Sequence, residues 1–311
     1  MQTILYSMVF SVLFLYYVPE FSPKKNFDPQ GGSALPEKPA IIFEYNYKLI
    51  SNIEYAKVDS QSLQLDLYQP QGMNKPAPVL LWLHGGAFTG GDKANAGKYA
   101  PMFARDGIEV AAVNYRLAPG ARYPSQMMDV KGAIRFLRAN AARYHIDPNH
   151  IGVLGTSAGG SLACQVAVRC GEKDFEGTVG GNLDYSSCVQ AAVDCFGSFS
   201  YENMMKVGFN KSRSRHLEEL LGVPEGSPEF NAKIKEMAPE FHLDKNDPPF
   251  LILHGDQDHT VPVQNSIDFD KKLKAAGIPS KLIIAPGYDH DVRMVVTYFD
   301  EVMKFLNQYL Q

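Results

Sequence analysis

The sequence is poor in cysteine and tryptophan, with four Cys and one Trp in 311 residues. The cysteines, at 164, 170, 188 and 195, form no C-x-x-C pair, so a zinc ribbon or a thioredoxin-like dithiol has no basis here. Four thiols are also too few to staple a disulfide-built fold. Neither sign of charge dominates: 30 Lys and Arg stand against 34 Asp and Glu, a formal net charge of −4. Without a basic cluster, nucleic acid is not an expected partner. No long internal repeat and no low-complexity tract is present, which sets aside solenoids. Nor does any apolar run reach the roughly 20 residues of a membrane span.

The longest apolar run covers residues 3–18 and is broken by Pro19-Glu20. Its length suits the core of a signal peptide. However, no Lys or Arg precedes it and no A-x-A site follows. Residues 1–18 are read as a signal peptide or N-terminal apolar segment, with secretion or periplasmic export expected. A retained membrane anchor or a cytoplasmic protein with a packed segment are the alternatives. Residues 19–48, rich in Pro, Gly, Ser and Lys toward their start, read as a linker. Residues 49–311 then form one domain, a size that α/β folds reach.

Geometry prunes the possible disulfides. Cys188 and Cys195 would flank one strand, about 23 Å apart at 3.3 Å per residue, beyond bridging distance. Cys164 and Cys170 would sit about 9 Å apart along one helix. Only a helix-to-strand pair such as Cys170 with Cys188 fits, and four buried free thiols are the favoured reading.

What the chain does have is alternation of strand and helix patterns. Residues 53–58 and 63–68 alternate polar and apolar, as half-exposed antiparallel strands do. A solid apolar run at 78–83 and a short one at 151–154 read as buried strands, and further strands are read at 109–115, 189–194, 250–254 and 281–285. Helical patterns lie between them: 98–105, a stripe from Met127 to Ala141 behind Pro124, 162–168, and 263–276 closed by Gly277. A last stripe runs from Val292 to Tyr309. This order predicts an α/β fold with a mostly parallel central sheet and helices on both faces. In such sheets the site forms at the carboxyl ends of the strands.

The decisive stretch is Gly155-Thr156-Ser157-Ala158-Gly159. It lies between a buried strand and a helix, which is the context of a nucleophile elbow. A Ser at the apex of so sharp a turn demands small residues two before and two after it, and both are Gly. Alone, G-x-S-x-G occurs by chance in roughly one such chain in eight. Three further stretches decide the matter, each directly after a predicted strand. His84-Gly85-Gly86-Ala87-Phe88 can turn backbone N–H groups toward a developing oxyanion, with donors expected from Gly86, Ala87 and Ala158. The bland reading of His84 and Gly85 is a structural Gly turn. His254-Gly255-Asp256-Gln257-Asp258 offers two acids. Asp258, further out on the loop, is taken as the triad acid, and Asp256 as a residue that pins the turn. Pro286-Gly287-Tyr288-Asp289-His290 supplies His290 as the base. The remaining histidines read as surface, capping or strand-end residues.

The order Ser157, Asp258, His290 is that of α/β hydrolases. With H-G-G-A-F, G-T-S-A-G-G, H-G-D-x-D-x-x-V-P and G-x-x-H, the chain resembles the hormone-sensitive-lipase-like and BD-FAE-like esterase group over roughly residues 50–310. Asn114-Tyr115-Arg116-Leu117 and Gly180-Gly181-Asn182-Leu183-Asp184 are similar to that group too. The resemblance implies an α/β-hydrolase fold and a serine carboxylester hydrolase working through an acyl-enzyme, with no metal and no cofactor. A small-molecule or polysaccharide ester is the implied substrate. Ala87 stands where other members have a third Gly, a departure that separates the chain from the G-G-G form tied to tertiary-alcohol esters. A peptidase or formamide hydrolase of the same fold, and a catalytically inactive binding module, are the alternatives. Residues 198–246, with Phe199, Tyr201, Met204, Met205 and Phe209, are read as an insertion over the site that limits acyl length.

Overall fold

Strand and helix alternate along the chain in the computed structural model, which describes residues 41–44, 47–200, 203–204 and 211–310. All of these fall in one compact unit, residues 37–311. The strands are β1 (Ile41–Glu44), β2 (Tyr47–Val58), β3 (Gln61–Pro70), β4 (Ala77–Leu83), β5 (Glu109–Val113), β6 (Ile146–Thr156), β7 (Ala191–Cys195), β8 (Phe250–Gly255) and β9 (Ser280–Ala285). Among the described residues they form a nine-stranded sheet in the order β1-β2-β3-β5-β4-β6-β7-β8-β9. β1, β2 and β3 pair antiparallel, and β3 pairs antiparallel with β5. From β5 across to β9 every pairing is parallel. The helices are α1 (Ala100–Arg105), α2 (Ser125–Ala139), α3 (Ala141–Tyr144), α4 (Ala158–Val168), α5 (Lys173–Glu176), α6 (Lys211–Leu221), α7 (Pro228–Met237), α8 (Gln264–Ala275), α9 (Met294–Thr297) and α10 (Phe299–Leu310).

Strands β4, β5, β7 and β8 are buried along their whole length because alternate residues feed two separate cores, whereas β9 is only partly buried. Val79, Leu81 and Leu83 of β4 pack with Met127 and Ile134 of α2, Leu162 and Val166 of α4, and Phe269 of α8. Leu80 and Trp82, between them in sequence, pack instead with Phe103 of α1 and with Val302, Leu306 and Leu310 of α10. The period of two places successive side chains on opposite faces, and each face carries its own helical layer.

Four sequence expectations are corrected. The end of the span taken as linker, residues 19–48, carries β1 and the first two residues of β2. β1 is a four-residue edge strand without alternation, and such a segment has no pattern to announce it. The helix expected at 98–105 starts only at Ala100, after a 3₁₀ turn at Lys93–Lys98. Pro101 lies in its first turn, where the missing N–H costs nothing. The terminal stripe is two helices broken at Tyr298. Val295, Val296 and Thr297 are β-branched and stiff in a helix, and the Thr297 hydroxyl is drawn to Tyr288 Oη at 2.6 Å.

The fourth concerns the cysteines. Cys164 and Cys195 are buried free thiols, but Cys170 and Cys188 are joined, with Cα atoms 4.8 Å apart. Four free thiols is therefore wrong for this pair. The segment after α4 folds back so that the approach to β7 meets the end of that helix. The link fastens the helix that carries Ser157 to the neighbouring strand. Closing an 18-residue separation stabilises by about 3 kcal/mol in the chain-entropy account. The double variant Cys170→Ser, Cys188→Ser is expected to lose about that much in urea unfolding. An unchanged midpoint and slope contradict it.

Candidate active site

The sequence Gly155–Gly159 folds as its sterics require. Ser157 has φ +56° and ψ −121°, a conformation that non-glycine residues rarely adopt and one that persists only where surroundings enforce it. Its N–H donates to Cys195 O at 2.9 Å, and its carbonyl accepts from Ser161 N at 3.0 Å. A Cβ on Gly155 would lie 2.0 Å from Gly159 O, and one on Gly159 2.2 Å from Leu83 O. Backbone occupies the space a side chain needs, so both positions are closed to other residues. The turn stands at the carboxyl end of β6 and opens α4, whose first N–H groups have no intrahelical acceptor.

Two loops bring partners to Ser157. His290, after β9, places Nε2 2.8 Å from Ser157 Oγ and Nδ1 2.7 Å from Asp258 Oδ2. A carboxylate can only accept, so Nδ1 carries the proton and Nε2 is left as the acceptor facing the hydroxyl. The edge of Phe196 lies against the imidazole, with ring centroids 4.5 Å apart. Asp258, after β8, has a fully buried side chain. Its Oδ1 accepts from Thr260 N and Val261 N at 2.7 and 2.8 Å. Burial pushes its pKa up, but hydrogen bonds from His254, His290 and the Val261 amide outweigh that and hold the carboxyl well below the usual range. Asp256 accepts instead from Gly287 N at 2.7 Å. It pins the loop that carries His290 and stays out of the hydrogen-bond line.

The loop after β4 turns as expected. Gly86, Ala87 and Phe88 all have positive φ, and a Cβ on Gly86 would lie 2.3 Å from Gly90 O. His84 is a structural residue. It is buried, donates from Nδ1 to Gly85 O at 2.8 Å and stacks on Tyr115, whose hydroxyl donates to His84 O at 2.7 Å. Ala87 and Ala158 line a cavity of about 250 Å³ beside Ser157. Gly86 is not among the residues that line it and borders a separate groove with Gly85 and Thr156.

Residues from the segment 198–246 line this cavity. Phe199 and Met204 line it, with His216 and Leu217 of α6 and Ile234 and Met237 of α7. Asn265 of α8 anchors the start of the insertion, its Oδ1 accepting from Phe199 N and Ser200 N at 3.3 and 2.9 Å. Tyr201, Met205 and Phe209 lie outside the described residues.

Three site features had escaped the sequence. His254 is more than a strand-end residue. Its Nε2 lies 2.9 Å from Val261 O and 3.2 Å from Asp258 Oδ2, and its Nδ1 lies 2.6 Å from Ser266 Oγ. Two acceptors at Nε2 place the proton there, so Nδ1 accepts from the Ser266 hydroxyl, and Asp258 is gripped from two sides. Asp194, at the end of β7, is fully buried beneath the elbow, with Oδ1 accepting from Gly197 N at 3.0 Å and Oδ2 unpartnered. Burial pushes its pKa far above the carboxylate range. Gln165 lines the cavity from α4. No sequence signal marked it, because a Gln on an apolar helix matters only once the cavity beside it is known.

The BD-FAE family model matches residues 65–273. Esterase LipC of Mycobacterium tuberculosis is 31% identical over 222 residues, covering 70% of this chain and 53% of that protein. A truncated carbohydrate esterase from gut microbiota superposes with a TM-score of 0.75 at 30% identity, over 88% of this chain and 99% of that one. An acetyl ester-xyloside bifunctional hydrolase from Caldicellulosiruptor lactoaceticus gives 0.67 at 25% identity, over 83% and 93%. The chain spans about half the length of the curated relatives it matches. With the family model matching two thirds of its length, the chain belongs to the BD-FAE family and has the α/β-hydrolase fold.

Proposed function

We propose that the protein is a serine carboxylester hydrolase. The observation that carries this reading is the continuous hydrogen-bond line from Ser157 Oγ through His290 to Asp258, at 2.8 and 2.7 Å. His290 Nε2 takes the Ser157 proton as Oγ attacks the acyl carbon. Asp258 holds the ring and stabilises the imidazolium charge. The oxyanion is received by backbone N–H groups of Ala87 and Ala158, with Gly86 adjoining. Collapse of the tetrahedral species breaks the bond to the alcohol, which leaves with the proton from His290. Water then attacks the acyl-enzyme, giving its proton to His290. The carboxylic acid departs and Ser157 regains its hydrogen. Each step balances without metal or cofactor.

The cavity takes the acyl group. The leaving oxygen must reach His290 Nε2 to be protonated, and His290 does not line the cavity, whereas Ala87 and Ala158 do. At about 250 Å³ it falls below the roughly 300–1,000 Å³ of sites for drug-sized ligands, which supports short- to medium-chain acyl groups. The relatives named for carbohydrate and acetyl-xyloside esters support an acylated carbohydrate as a substrate. The Cys170–Cys188 bridge supports export, since such bonds persist in oxidising compartments. On that reading residues 1–18 are a signal peptide. Among the described residues no helix is long and apolar enough to cross a membrane.

The test is a p-nitrophenyl ester series from C2 to C12, run beside acetyl-xylan and methyl ferulate. Turnover is expected to peak at short or medium chains and to fall beyond them. Activity that rises steadily with length and jumps at a lipid–water interface contradicts the covered cavity. No turnover of any ester contradicts the reaction itself.

A further inference from the structure

The cavity is mostly apolar, yet one buried polar group in it is left open. Ser157, Ser161 and Gln165 are spaced i, i+4, i+8 along α4 and so share one face of the helix. All three line the cavity. Ser161 is satisfied: its hydroxyl donates to Ser198 O and accepts from Ser198 N, both at 2.8 Å. Gln165 is not. It is only 1% exposed, and its Oε1 is buried without a hydrogen-bond partner. A buried amide oxygen left unpaired is destabilising. It is tolerable where a ligand supplies the missing donor.

Position and charge narrow the ligand. Gln165 starts about 12 Å along the helix from Ser157, and its side chain leans back toward the N-terminus. It therefore meets the far end of a medium-length group, not the reacting carbonyl. Phe199, Met204, Leu217 and Ile234 around it suit an apolar body. Among the described residues no Lys, Arg, Asp or Glu lines the cavity, so these give an ionised terminus no charged partner. A hydroxyl is neutral and both donates and accepts, which matches the amide.

We propose that Gln165 is a specificity-determining residue that binds a hydroxyl at the distal end of the acyl group. The favoured substrate is then an ester whose acyl chain has an apolar body and a hydroxylated terminus. This rests on the reading of Ser157 as nucleophile and of the cavity as acyl site.

The experiment compares p-nitrophenyl esters of 6- and 8-carbon ω-hydroxy acids with plain alkyl esters of equal non-hydrogen atom count. In the wild type, kcat/KM is expected to favour the hydroxyacyl ester about tenfold at one of these lengths, the worth of one well-made buried hydrogen bond. Gln165→Met, close in volume and apolar, is expected to erase that preference and to raise turnover of the alkyl ester. A parallel arm measures binding of 6-hydroxyhexanamide and heptanamide to Ser157→Ala by calorimetry, with and without Gln165→Met. If no ester is turned over but the hydroxyamide still binds tenfold more tightly through Gln165, the hydrolase reading fails, the acyl-specificity role falls with it, and only the hydroxyl-binding site at Gln165 stands. Equal treatment of hydroxyl and alkyl termini by the wild type, at both lengths and in binding, overturns the proposal whether or not the variant folds.

Discussion

Ser157→Ala is expected to lower kcat for any accepted ester by about 10⁵- to 10⁶-fold, the scale seen when a triad nucleophile is removed from a serine hydrolase. The size follows from the geometry. On the proposed mechanism Ser157 Oγ bonds the acyl carbon, and His290 Nε2 stands 2.8 Å away with no other hydroxyl on it among the described residues. Residual turnover then comes from the oxyanion donors and from binding alone. The fold should survive, because Ala can take the backbone geometry that Ser157 already holds and the Cys195 O and Ser161 N hydrogen bonds use only main-chain atoms. Stability is expected to change by less than about 1 kcal/mol. A variant that keeps more than a tenth of wild-type activity removes Ser157 from the reaction.

Asp258→Asn is the second large effect, about 10⁴-fold in kcat. Asp258 Oδ2 is approached by two N–H donors, from His290 at 2.7 Å and His254 at 3.2 Å. An amide nitrogen there faces donors with another donor, so His290 must give up its Nδ1 proton or its place. The proton then shifts to Nε2, where it blocks acceptance from Ser157. Asp256→Asn keeps an oxygen for Gly287 N and is expected to cost less than about tenfold. Matched folding of both variants by circular dichroism makes the comparison fair, and the reverse ranking would assign the acid to Asp256. The depressed pKa of Asp258 fixes the sign with pH. Its folded value lies below the unfolded value near 3.9, so its contribution to stability is complete above that and is lost only as pH falls below it.

The elbow was legible because its constraint is a simple backbone clash: Gly155 is dictated by Gly159 O, four residues away, and Gly159 by Leu83 O at the end of the neighbouring strand β4. The sheet was legible for the same kind of reason, since runs such as 78–83 and 250–254 are buried on both faces and carry no other pattern. Asp258 was separable from Asp256 by its place on the loop together with the H-G-D-x-D-x-x-V-P motif of the resemblance, and the second grip from His254 was not, because it depends on how the loop returns to β8. The Cys170–Cys188 bridge depends on the path of residues 171–187, which no periodicity sets. β1 is an unpatterned edge. Gln165 and Asp194 look like ordinary members of a helix and a strand until the cavity and the elbow are built around them. The lining from residues 198–246 was legible in part. Phe199 and Met204 line the cavity as the composition suggested, while α6 and α7 contribute His216, Leu217, Ile234 and Met237, which were not singled out.

The central claim is that Ser157 is the activated nucleophile of an ester hydrolase. It is tested most directly by reacting the full chain with a fluorophosphonate and mapping the adduct by peptide mass spectrometry while following p-nitrophenyl butyrate turnover. The expected result is a single adduct on Ser157, formed in step with loss of activity and absent from Ser157→Ala and slowed in His290→Ala. An adduct on another residue, or full inactivation with Ser157 unmodified, contradicts the account.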